Sequence, residues 1–242
     1  MNETPTAIEQ PPRADRQRIW ERPIIMSGDN PRLILEGRKN QTRRIIKPQP
    51  ETRDGAIFWQ SPRYDNGDGV HYLHTNEDAA IRLIETACPY GVAGDRLWVR
   101  EKWRLSVVSP QFSIRYCVVQ YGDGEELYRY ECDHPSLCID DWNRTPEDKW
   151  RPSIHMPRWA SRITLEITNV RVERLQDITA GDAKAEGIQR KPTGEFEEAI
   201  WRGGQLLTDE RGFYAELWDS LHGKGAWDKN PWVWVIEFKL VA

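Results

Sequence analysis

Eight consecutive residues, Gly37-Arg38-Lys39-Asn40-Gln41-Thr42-Arg43-Arg44, hold a lysine, a hydroxyl and three arginines with no carboxylate among them. Scattered surface charge is ordinarily interleaved with acids, so the run marks either a contact for something anionic or a reaction that needs an activated hydroxyl. A threonine hydroxyl is a poor nucleophile near neutral pH unless a neighbour accepts its proton. A lysine desolvated among other cations can have its pKa lowered enough to serve as that base. Arg38, Arg43 and Arg44 supply the cationic setting for Lys39 and Thr42. The two are three residues apart, which puts them on one side only if the chain turns between them; in a straight strand they face opposite ways. The plain alternative is a solvated basic strand edge whose charges discourage edge-to-edge association.

A second stretch with chemical potential runs from Trp150 to Arg162. It carries Trp150, Trp159, three arginines (Arg151, Arg158 and Arg162) and His155 in a proline-punctuated segment. Aromatic and guanidinium planes are the surfaces on which single-stranded bases stack, so a nucleotide-binding wall that includes His155, Arg158 and Trp159 is one reading. The competing one makes the tryptophans core anchors, the arginines partners of nearby acids and His155 a hydrogen-bonded structural residue. Cys132 and His134, with Cys138 close by, invite a zinc reading. Their spacing fits no common zinc framework, and no metal or other cofactor is expected.

Bulk composition narrows the partners. A net charge of -4 argues against coating duplex nucleic acid through global charge, so any nucleic-acid contact must be local. No stretch approaches the roughly 18 consecutive apolar residues of a membrane span, and the N-terminal residues lack an apolar signal-type run. A cytoplasmic protein with no membrane partner, its four cysteines reduced, is the expectation. Twelve tryptophans supply apolar area in large units, so a 242-residue chain of modest hydrophobic content can still bury a substantial core.

The elements that must position these residues are partly readable. Residues 1–21, with Pro5, Pro11 and Pro12, read as a flexible N-terminal tail, and residues 22–242 as a single domain. Pro23 to Met26 reads as a strand, Asn30-Pro31 as the start of a two-turn helix stopped at Gly37, and Thr42 to Ile46 as a strand closed by prolines. Turn formers dominate residues 51–87, which read as an excursion from the core. Arg96 to Glu101 reads as a strand. A second excursion, about residues 104–150, contains a strand pair near residues 114–120 and 126–131. Residues 160–173 alternate apolar and polar, the clearest strand signal in the chain. Thr179 caps a short helix ending at Gly187. A later helix, residues 212–222, is expected to present Phe213, Leu217 and Leu221 on one face, with Trp218 in the core and Asp219 on the surface. Trp232 to Leu240 should lie at the centre of the sheet. The economical architecture is α+β: a partly closed β-barrel with short helices at its rim.

Five blocks, in order, resemble the ASCH family, a branch of the PUA-like β-barrel superfamily. They are Ile34 to Arg44, Gly94 to Val99, Ile163 to Ile167, Asp182 to Gly187 and Trp234 to Lys239. The Trp150 to Arg162 stretch further resembles larger ASCH-like proteins encoded by phages and prophages. The resemblance implies a PUA-like fold and a nucleoside or single-stranded RNA partner. It extends to small bacterial amidohydrolases that remove the acetyl group from N4-acetylcytidine. By position it implies Thr42 as nucleophile, Lys39 as its base, Glu186 as acid/base and Arg44 as the arginine after the threonine. Gln41 and Arg43 stand where the small enzymes are apolar. Without the resemblance Glu186 is a last-turn helix carboxylate, electrostatically unfavourable at a helix C-terminus. A non-catalytic RNA-binding module, an RNA-cleaving ASCH protein and a phage accessory or assembly protein are the alternatives that the same residues leave open.

Overall fold

A computed structural model describes residues 19–53, 56–59, 72–73, 81, 84–109, 116–130, 149–188, 200–202, 205–207 and 210–241. In chain order these form β1 (Glu21–Ile25), α1 (Asn30–Leu35), β2 (Gln41–Ile45), β3 (Glu51–Arg53), β4 (Ala56–Phe58), β5 (Tyr72–Leu73), β6 (Arg96–Arg100), β7 (Trp103–Ser109), β8 (Tyr116–Tyr121) and β9 (Glu126–Tyr130). Single 3-10 turns follow at Ser153–His155 and Arg158–Ala160, then β10 (Thr164–Arg174), α2 (Ala180–Ala185), β11 (Ile200–Arg202), β12 (Gln205–Leu207), α3 (Glu210–His222) and β13 (Trp232–Leu240). The mixed α+β character agrees with the sequence. Among the described residues no helix is long and apolar enough to cross a membrane.

The main sheet has the order β1-β6-β10-β13-β2. Only β1 and β6 run parallel; the other neighbours are antiparallel. β13 is an interior strand, although β10 rather than β13 occupies the middle place. The alternation that predicted β10 has its physical basis here, since Leu165, Ile167 and Val172 all join the principal core. β13 is apolar on both faces because both are covered. Trp232, Trp234, Ile236 and Phe238 enter the principal core, while Val233 and Val235 enter a second one built with Tyr214, Trp218 and Trp227. This division puts α2 and α3 on one face of the sheet. β1 and β2 are its outer strands, yet the Arg44 guanidinium on β2 donates to the Ile25 carbonyl on β1 at 2.6 Å, so the sheet curls until a side chain links its two margins.

Several expectations are corrected by packing. Ile57, Trp59 and Ile84 fall inside the segment read as an excursion from the core, yet all three are buried in the principal core. A turn-rich composition hides isolated inward side chains, because periodicity needs several of them in register. On α3 the buried face carries Tyr214, Ala215, Trp218 and Asp219, whereas Leu217 and Leu221 are exposed. Asp219 is inward because its carboxylate accepts the backbone N–H groups of Gly225 and Trp227 in the turn after the helix. The strand pair β8–β9 lies close to where it was expected, with β7 added as a third strand. β1 starts at Glu21, inside the stretch read as a tail; residues 1–18 of that stretch lie outside the described residues.

Candidate functional site

α1 and α2 bring the two halves of the candidate site together. Pro31 opens α1 with a fixed φ, and Gly37, at φ 69°, ends it in the left-handed conformation that terminates helices. The chain then enters β2 through Lys39 and Asn40, whose N–H donates to the Ala185 carbonyl at the end of α2. α2 is fixed at its start by a capping box: Thr179 Oγ1 accepts from the Asp182 N–H, and the Asp182 carboxylate accepts from the Thr179 N–H. It ends at Gly187, φ 96°, where an added Cβ would sit 2.9 Å from Leu33 Cδ1 and 3.6 Å from Lys39 Cβ. Glycine at this position is what lets the end of α2 approach α1 and Lys39.

The outcome is a buried ionic cluster. Lys39 Nζ donates to the Glu186 carboxylate at 2.8 Å and to the Glu186 carbonyl at 2.7 Å, across 147 residues of sequence. Both residues are 5% exposed. The ammonium therefore satisfies a helix-terminal carbonyl and offsets the unfavourable placement of a carboxylate there. Arg43, with its side chain fully buried, donates to the other Glu186 oxygen at 3.3 Å, to Gln41 at 3.1 Å and to Glu173 at 2.5 Å. The Tyr214 ring on α3 lies 5.8 Å from the Arg43 guanidinium, and its phenol feels the Glu186 charge. Burial pushes its phenol well above the usual range and the Glu186 charge pushes it further, against the pull of Arg43 and Arg44, so Tyr214 stays protonated. Asp182 lies four residues before Glu186, on the same side of α2, and accepts from Gln41 at 3.0 Å and Arg171 at 2.6 Å. Burial alone would raise the Asp182 pKa, but the Thr179 and Gln41 hydrogen bonds and the Arg43 charge together hold it well below the usual carboxylate range.

Thr42 is not part of this cluster. On β2 the residue pairs are Thr42 with Ile236 and Arg43 with Val235. Ile236 belongs to the principal core and Val235 to the core beneath α2 and α3, so Thr42 projects from the opposite face to Arg43. The turn at Gly37 precedes Lys39 instead of falling between Lys39 and Thr42. The ladder already includes Asn40, whose carbonyl accepts from the Phe238 N–H, and the odd spacing keeps the hydroxyl away from the Glu186 carboxylate.

The remaining predicted residues disperse. Arg38 pairs with Glu36 at 2.7 Å on the surface. Arg44 spans the sheet margin to Ile25 and lies 5.9 Å from the centroid of the Tyr90 ring. Arg43 is a buried structural cation, not an open substrate contact. Of the second stretch, Trp159 is buried and meets Trp103 edge-to-face at 5.9 Å, which makes it a core anchor instead of a base-stacking surface. Arg158 is occupied by Glu21 and by the Thr164 hydroxyl, each at 3.1 Å. His155 is exposed at the end of its 3-10 turn. Cys132, His134 and Cys138 lie outside the described residues. Sequence reasoning missed Glu173, Asp182, Arg171 and Tyr214; the one available signal was Asp182 and Glu186 at helical spacing.

Comparison of the chain with protein-family models, with curated proteins and with solved structures finds no match.

Proposed function

We propose that this chain is a cytoplasmic, ASCH-type protein on a partly closed, PUA-like barrel, that it binds a nucleoside or single-stranded RNA beside the Lys39–Glu186 pair, and that it hydrolyses an amide on a modified nucleobase such as N4-acetylcytidine. The observation that carries the reading is the convergence of Lys39 and Glu186, two residues singled out from separate sequence blocks, on one buried contact of 2.8 Å. The Arg44 link between the sheet margins supports the barrel. β2 is an outer strand, so a planar base can approach along it.

Because Thr42 faces away, water is the nucleophile in this reading. Its oxygen bonds to the acetyl carbon while Glu186 takes its proton. The carbon–nitrogen bond breaks as the exocyclic nitrogen receives a proton through the Lys39–Glu186 pair, leaving cytidine and acetate. Arg43 holds the carboxylate in place throughout. A second reading, binding without turnover, is favoured by both oxygens of the same carboxylate being already engaged, one by Lys39 and one by Arg43. Acetate release from N4-acetylcytidine separates the two. The hydrolase reading expects turnover by the wild type and by Thr42→Ala, and loss of turnover in Lys39→Met and Glu186→Gln. Saturable binding by the wild type without acetate release leaves the binding module, and neither binding nor release removes both.

A further inference from the structure

The two tryptophans of the stretch read as a wall part company in the structure. Trp159 turns inward, whereas Trp150, nine residues earlier, stays 42% exposed. Arg151 and Trp103 form a β-bridge, with hydrogen bonds in both directions, which sets Trp150 alongside the first residues of β7. Trp103 points into the core at 1% exposure, so Lys102 and Arg104 on either side of it share the outer face. Both meet the indole: Lys102 Nζ is 4.9 Å and Arg104 Cζ 4.8 Å from its centroid. Across the sheet Arg104 donates to Gln120 at 2.7 Å, and Gln120 in turn donates to Glu126. Among the described residues no carboxylate is ion-paired with Lys102 or Arg104.

We propose that Trp150, flanked by Lys102 and Arg104, is a stacking platform for single-stranded nucleic acid, distinct from the Lys39–Glu186 cluster. An exposed indole resting on the two cations that flank Trp103 presents an outward π-face to a base and places positive charge where the adjoining phosphates lie. Charge complementarity selects this partner. On a chain of net charge -4, the outer face beside Trp150 carries two cations that no carboxylate among the described residues pairs with. The proposal deepens the RNA reading above and rests on it for the class of ligand.

The test is titration of a fluorescently labelled, unstructured RNA oligonucleotide, followed by anisotropy at several salt concentrations, with unlabelled nucleoside binding measured in parallel. Trp150→Ala should weaken oligonucleotide binding by about 5- to 150-fold, the range for loss of one base–aromatic stack. Nucleoside binding should be unchanged. Lys102→Ala/Arg104→Ala, at an exposed and a half-buried position, should lower the slope of log K against log salt by about 1.4, at roughly 0.7 per phosphate contact on single strands. Oligonucleotide affinity and salt slope equal to wild type in both variants would overturn the platform and leave the RNA reading standing. Wild-type protein that binds nucleoside but no oligonucleotide would overturn the platform alone. Failure to bind either ligand would overturn both.

Discussion

Removing the Glu186 carboxylate perturbs the molecule where its charges are most tightly interlocked. In Glu186→Leu, Lys39 keeps only the backbone carbonyl of residue 186 in a site 5% exposed, and Arg43 keeps Glu173 and Gln41. Breaking one side of a buried pair costs about 3–5 kcal/mol, because the surviving charge is left desolvated and uncompensated. At roughly 2–4 °C per kcal/mol for a domain of this size, the midpoint of thermal unfolding should fall by about 6–20 °C. Lys39→Met should cost less, since Glu186 retains Arg43. The double variant Lys39→Met/Glu186→Leu should be more stable than Glu186→Leu alone, because the stranded ammonium is gone. Calorimetry on the four proteins completes the cycle. A loss below about 1 kcal/mol in Glu186→Leu, or strictly additive losses in the double variant, would refute the interlocked cluster.

Other consequences are simpler to measure. Trp159→Ala should lower stability by about 3–5 kcal/mol in denaturant titration, as for other large buried aromatics. Gly187→Ala should cost about 1 kcal/mol or more, because alanine is strained at φ 96° and its Cβ meets Leu33. The Asp182 carboxyl is depressed in the folded state, so its contribution is complete above the unfolded carboxylate range, near pH 4, and drains away as pH falls through its lower folded value. Asp182→Asn should therefore flatten the acid limb of the stability profile. Glu101 acts in the opposite sense. Burial raises its pKa against the hydrogen bonds and charge of Arg162, so its contribution is complete in acid and lost as pH rises through the folded value. Glu101→Gln should remove that component of the profile.

Local chemistry made much of the main sheet legible. Pro31 and Gly37 bound α1, Thr179 and Gly187 bound α2, and the alternation from Ile163 onward produced β10, because each signal depends on neighbours in sequence. Choices between two apolar faces were not legible. α3 offers both Leu217 with Leu221 and Tyr214 with Trp218 at helical spacing, and only the second core beneath the sheet decides between them. Trp150 and Trp159 are equally aromatic, and the β-bridge at Trp103 and Arg151 determines which of them turns inward. The same limit applies to the site. Lys39 stands out by its own chemistry whereas Glu186 is marked only by the resemblance, and Arg43, read as an open cation, is consumed by Glu173 and Glu186. Those contacts come from strand order, which no local pattern encodes.

The nitrogen NMR signal of the Lys39 ammonium, identified by its disappearance in Lys39→Arg, reports directly on whether a ligand reaches the buried pair. With N4-acetylcytidine or a short single-stranded RNA added to saturation, that signal is predicted to shift while the exposed lysine signals remain in place. A Lys39 signal unmoved at ligand concentrations that saturate binding elsewhere, or at any concentration of either ligand, would contradict the account.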